Sequence, residues 1–132
     1  FAFVYPFWFN APPAILKGYI DRVFSMGFGY APGMGGTEGL LDGKKLISFT
    51  SSGAPESWVR ETGALQALMA LFDLHLANMT GLRILDHVHV GGIVSDITPE
   101  AFEEVLAGVR GAVKAQFGEA APGAAPGLRT GT

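Results

Sequence analysis

A chain of 132 residues is the size of one ordinary domain, which excludes a multidomain machine. With 48% hydrophobic and only 16% charged residues, intrinsic disorder over most of the chain is excluded. A net charge of -3 without a basic run leaves no electrostatic footprint for nucleic acid, and zero cysteine excludes disulfides, thiolate nucleophiles and cysteine-based zinc sites. The apolar stretch from Phe1 to Phe9 is about half of the ~20 residues a spanning helix needs and is broken by Pro6, so no membrane span is expected. No basic region precedes it, which argues against a signal peptide, and cytoplasmic localisation is the expectation.

The elements follow in chain order. Phe1 to Tyr5, a continuous apolar run stopped by Pro6, predicts a strand buried on both faces. Pro12-Pro13 open a helix whose Ile15, Leu16, Tyr19, Ile20, Val23 and Phe24 share one stripe, ending near Gly27. Residues 27–43 are rich in glycine and read as one loop, about as long as compact domains tolerate unless it is functional. Lys45 to Thr50 is the second strand, and Ser51 to Pro55 the loop that leaves it. A long helix carries Leu65, Leu68, Met69, Phe72 and Leu76 at i, i+3, i+4, i+7, i+11, with Gly81 at its carboxyl cap. Ile84 to Val90 is the third strand, and Thr98-Pro99-Glu100 starts a last helix with a buried stripe from Phe102 to Val113. From Gly118 to Thr132, Ala, Pro and Gly predict a disordered tail after a domain spanning 1–117.

Alternating strands and helices give an α/β fold: a parallel sheet of three strands with helices on its faces. Ligands of such sheets bind outside the carboxyl ends of the strands, so the loops after residues 5, 50 and 90 are the ones to inspect. Pro6-Phe7-Trp8-Phe9-Asn10 puts three consecutive aromatics on one of them, which suits a flat partner. Thr50-Ser51-Ser52-Gly53 offers hydroxyls and backbone N–H groups to the polar edge of a heteroaromatic ring. The plainer alternative is that the aromatics fill a core or interface and the Ser/Thr loop caps the next helix. His87 and His89, i, i+2 on one strand face, lack a nameable third ligand and are expected to be packing or surface histidines, with no metal site.

The run from Tyr5-Pro6-Phe7-Trp8-Phe9-Asn10 through Pro13-Ala14-Ile15-Leu16-Lys17-Gly18 to Arg22-Val23-Phe24, then Gly27-Phe28-Gly29-Tyr30, Gly43-Lys44-Lys45 and Thr50-Ser51-Ser52-Gly53, closely resembles the flavodoxin-like NAD(P)H:quinone oxidoreductases over about residues 1–117. The resemblance implies a three-layer flavodoxin-like fold, a homodimer, and a bound flavin that passes a hydride from NAD(P)H to quinones or similar electrophiles. It implies that Pro6, Phe7, Trp8 and Phe9 line one edge of the flavin ring and that Thr50, Ser51, Ser52 and Gly53 meet its polar edge. Tyr30 matches the tyrosine that closes over the partner subunit's site, and Trp58 and Ala64 stand where one branch has a charge-stabilising tyrosine and histidine; Phe9, Tyr30 and Trp58 are the catalytic candidates. Kinship favours FAD, with FMN as the alternative, although Glu103 replaces an arginine found beside the adenosine end. The family's first strand, phosphate loop and first helix would precede Phe1, so a truncated amino terminus is expected. A non-catalytic remnant that binds a protein partner through its aromatic surface is the competing expectation.

Overall fold

The computed structural model describes residues 1–118. The tail expected over 118–132 lies, Gly118 apart, outside the described residues. The chain divides into two compact units, Phe1–Ile97 and the segment from Thr98 onward.

The first unit runs β1 (Ala2–Pro6), α1 (Ala14–Val23), a hairpin of β2 (Tyr30–Gly33) and β3 (Gly36–Gly39), then β4 (Lys45–Ser51), α2 (Glu56–Glu61), α3 (Ala64–Leu68), a π-helical segment (Met69–Leu74), α4 (His75–Thr80) and β5 (Arg83–Val90). Among the described residues, β1, β4 and β5 form a parallel sheet in the order β1-β4-β5. Its register sets Tyr5 beside Thr50, Ser48 beside His87 and Thr50 beside His89. Because side chains alternate along a strand, Phe3, Tyr5, Leu46, Ser48, Thr50, His87 and His89 form one buried face. The expectation that β1 is buried on both faces fails at Val4, which is 78% exposed: β1 is the edge strand here, and only the face carrying Phe3 and Tyr5 is covered.

That covered face meets the helical run from Ala64 to Thr80. Leu68, Phe72, Leu76 and Ala77 join Phe3, Tyr5, Phe24 and Leu46 in the core, where the Phe72 ring lies 5.9 Å from Phe3 and 5.7 Å from Tyr5. Removing a buried ring of this kind costs about 3–5 kcal/mol. The predicted stripe is therefore correct, but the single long helix is not. It breaks at Thr62–Gly63, and its middle turn widens to a π-helix in which the adjacent Phe72 and Asp73 are both buried. Gly81 closes α4 in the left-handed conformation (φ 79°), as the carboxyl cap requires.

The loop expected over 27–43 contains the β2–β3 hairpin. Its strands have four residues each, and glycine and Pro32 hide the period-2 pattern that would announce them. The second unit is α5 (Pro99–Phe117), opened by Thr98, whose Oγ1 accepts the Ala101 N–H at 3.2 Å. Its apolar stripe was expected to be buried, yet Phe102 is 45% exposed; periodicity marks a face that can be covered, not the surface that covers it.

Candidate active site at the carboxyl ends of the parallel strands

Pro6 ends β1 opposite Ser51 at the end of β4, and the Phe7 N–H donates to Ser51 O at 2.7 Å, which holds the two strand exits side by side. Trp8 and Ala11 then exchange backbone hydrogen bonds of 3.1 and 2.9 Å around Phe9 and Asn10. Both central residues have positive φ, 46° and 58°, the pattern of a type I′ turn. Asparagine adopts this conformation readily, whereas for an ordinary L-residue it costs about 1–2 kcal/mol. The strain presents Phe9, which is fully exposed, next to Trp8, 62% exposed. In the same turn Asn10 Oδ1 is buried without a hydrogen-bond partner. Strain, exposed rings and an unpaired polar atom together mark a surface built to meet something.

The exit of β4 is stapled to that of β5. Ser52 N–H donates to Val90 O (3.0 Å), Gly92 N–H to Ala54 O (2.8 Å) and Ile93 N–H to Ser52 O (2.9 Å). Gly91 is required there, since a Cβ at this position would stand 2.3 Å from Glu56 N at the start of α2. Ser51, Ser52 and Gly53 are thus presented on a fixed backbone, and Trp58, half-exposed on α2, follows within two turns of chain.

Behind this loop a polar array runs along the buried face. Ser48 Oγ donates to Asp73 Oδ1 at 2.7 Å, and Asp73 Oδ2 is bonded to His87 Nδ1. Thr50 Oγ1 bonds His87 Nε2 and His89 Nδ1, each at 2.8 Å, and Ser52 Oγ bonds His89 Nε2 at 3.1 Å and Ala54 O at 3.2 Å. The Phe7 ring lies 5.5 Å from the His89 ring, edge to face at 84°, and joins the array to the aromatic loop. Burial, then repulsion by His87, lowers the His89 pKa, with Glu56 opposing and Arg60 reinforcing the shift. Burial, followed by the charge of Asp73, pushes the Tyr5 phenol well above its ordinary range.

The structure therefore brings Pro6, Phe7, Trp8 and Phe9 together with Ser51, Ser52 and Gly53. The Thr50 hydroxyl is turned into the array, leaving its backbone at the strand end. Tyr30 stands apart, lining a cavity of about 380 Å³ with Lys17, Phe24, His75 and Thr80, to which neither loop contributes. His87 and His89 are buried rather than at the surface, and His75 is exposed. Asp73 was missed by the sequence reading. Its signal was present: an acid four residues from both Met69 and Ala77 occupies the core stripe and needs a buried partner. Among the described residues no group of three or more His, Asp or Glu is placed to hold a metal ion, and no helix is long and apolar enough to cross a membrane.

Three parallel strands flanked by helices, with the unusual loops at their carboxyl ends, define a flavodoxin-like α/β protein. The chain belongs to the Flavodoxin_2 family, whose model, described as a flavodoxin-like fold, matches residues 1–116. It is 35% identical over 106 residues to an uncharacterized NAD(P)H oxidoreductase of Haemophilus influenzae, covering 79% of this chain and 52% of that protein. It is 34% identical over 95 residues to the FMN-dependent NADH:quinone oxidoreductase of Metamycoplasma arthritidis, covering 70% and 45%. The fold is also that of the NAD(P)H:quinone oxidoreductase of Methanothermobacter marburgensis, with a TM-score of 0.66, 23% identity and coverage of 84% and 56%. The chain spans about half the length of these relatives.

Proposed function

We propose that this chain forms the ring-binding part of a flavin-dependent oxidoreductase that passes a hydride from NAD(P)H to quinones or similar electrophiles. The observation that carries this reading is the 2.7 Å bond from Phe7 N to Ser51 O, which sets a strained, exposed aromatic turn beside a polar loop across the ends of adjacent parallel strands. The residues fit a flavin ring. Pro6, Phe7, Trp8 and Phe9 would line one edge and offer a stacking wall, while the backbone after Thr50 and the polar groups of Ser51, Ser52 and Gly53 would donate to the carbonyl edge. Bound flavin supplies the two-electron chemistry; the chain holds the reacting rings in line and stabilises the charge that develops beside Ser51–Gly53.

The FMN-dependent relative favours FMN over the FAD expected from kinship. A homodimer is part of the same proposal. Ile15, Tyr19, Met26 and Phe28 are 84%, 48%, 65% and 44% exposed along α1 and the segment before Tyr30, an apolar surface that suits a second copy, with Tyr30 reaching the partner's site. The protein is expected to take up added FMN, with its fluorescence quenched and its absorbance co-eluting in gel filtration. Failure to take up either FMN or FAD would end the reading.

A further inference from the structure

The buried polar array has a donor logic that follows from its atoms. Asp73 accepts from Ser48, and as a carboxylate it also accepts from His87 Nδ1–H. With both imidazoles neutral, His87 Nε2 must then accept the Thr50 hydroxyl proton, Thr50 Oγ1 must accept from His89 Nδ1–H, and His89 Nε2 must accept from Ser52. Every proton points toward Asp73. Add one proton to His87 and each bond beyond it can reverse: His87 Nε2–H donates to Thr50, Thr50 to His89 Nδ1, His89 Nε2–H to Ser52, and Ser52 to the Ala54 carbonyl. Both orders satisfy every atom, and they differ by one proton.

We propose that Asp73, His87, Thr50, His89 and Ser52 form a proton wire that moves one proton between the buried Asp73–His87 pair and the loop after β4. Its use rests on the oxidoreductase reading. Reduction of a quinone to a hydroquinone takes a hydride and one further proton, NAD(P)H + H⁺ + quinone giving NAD(P)⁺ + hydroquinone. The wire delivers that proton when His87 Nε2–H passes to Thr50, the Thr50 proton to His89 Nδ1, the His89 Nε2 proton to Ser52, and the Ser52 proton to the acceptor oxygen. His87 ends neutral, and one solvent proton returning by the same path recharges it. This assigns the proton role that neither Trp58 nor Ala64 has the groups to perform.

The surroundings place the stored proton at the inner end. Asp73, 1% exposed, comes from the π-helical segment and faces His87, with Tyr5 of β1 beside it. Asp86 on the same strand accepts the His87 backbone N–H at 2.8 Å. Glu56 and Arg60 of α2 act on His89 with opposite signs, and burial, the larger effect, weakens its hold on a proton. The carboxylate bonded to His87 Nδ1 makes the inner end of the array the place where an added proton meets an opposite charge, with His89 as the relay.

Nitrogen-15 NMR of the histidine rings in the full chain tests the wire. At high pH both His87 and His89 are expected to carry their proton on Nδ1. When the array takes up its additional proton, His89 should switch to Nε2–H. Thr50→Val should abolish the switch, and Thr50→Ser should restore it. The wild-type measurement stands even if Thr50→Val fails to fold. A His89 tautomer that stays the same over the whole pH range in which the chain stays folded would overturn the wire. Flavin uptake, scored on the same sample, separates the two ideas: uptake without the switch overturns the wire alone, and a switch without uptake overturns the catalytic reading on which its use rests.

Discussion

Behind the end of β4, every side-chain polar atom of Ser48, Thr50, Ser52, Asp73, His87 and His89 has a partner within the chain. One hydrogen bond away, the turn after β1 holds two exposed aromatic rings on a backbone with two positive φ angles, together with a buried Asn10 oxygen that has no partner. In the first region those six residues obey the rule that buried polar groups are satisfied, whereas the neighbouring Tyr5 hydroxyl, also buried, has no partner. The second departs from local preference at each level, which is the mark of a surface shaped for a ligand rather than for folding. The stability carried by the array and the holding of the reacting rings by the turn should therefore separate between two segments joined by the Phe7–Ser51 bond.

The sharpest way to break this contrast is at Asp73. Replacement by alanine leaves Ser48 Oγ and His87 Nδ1 buried without their acceptor, and an intact array predicts a loss of about 2–4 kcal/mol in denaturant unfolding. A loss below about 1 kcal/mol would mean that the array carries little of the fold. On the other side, Phe9→Gly removes the left-handed penalty and should raise stability by about 1 kcal/mol while deleting the stacking surface. A destabilised Phe9→Gly protein would show that the ring supports the fold. The pH dependence separates the regions more gently. His89 holds its proton less tightly when folded, so the unfolded chain binds more protons as pH falls below about 6.5, and the stability carried by His89 is lost in that direction. His89→Gln should flatten that part of the curve of unfolding free energy against pH, and an unchanged curve would remove His89 from the account.

Much of this was legible in the sequence, and for identifiable reasons. The strands announced themselves because Phe1–Tyr5 and Lys45–Thr50 are apolar and β-branched runs between Pro and Gly punctuation. The aromatic loop was visible because Phe7, Trp8 and Phe9 follow Pro6 where a parallel sheet exposes its ligand loops. The array was not, because it joins residues 48, 50, 52, 73, 87 and 89 through strand register and a π-helical turn, neither of which leaves a periodic mark. His87 and His89 were noticed as a pair, but their partners lie across the sheet and on a helix. The β2–β3 hairpin was hidden by glycine, and the break at Thr62–Gly63 by the apolar stripe that resumes at Leu65.

The central claim is that the turn after β1 is the place where the reacting rings are held. Stopped-flow reduction of bound flavin by NAD(P)H, normalised to flavin content, compares the parent protein with Phe9→Ala. If Phe9 keeps donor and acceptor in line, hydride transfer in Phe9→Ala should be slower by about 100-fold, since a small misplacement of reacting groups has an effect of that size. Equal rates in the two proteins would contradict the account and move the site away from the aromatic loop.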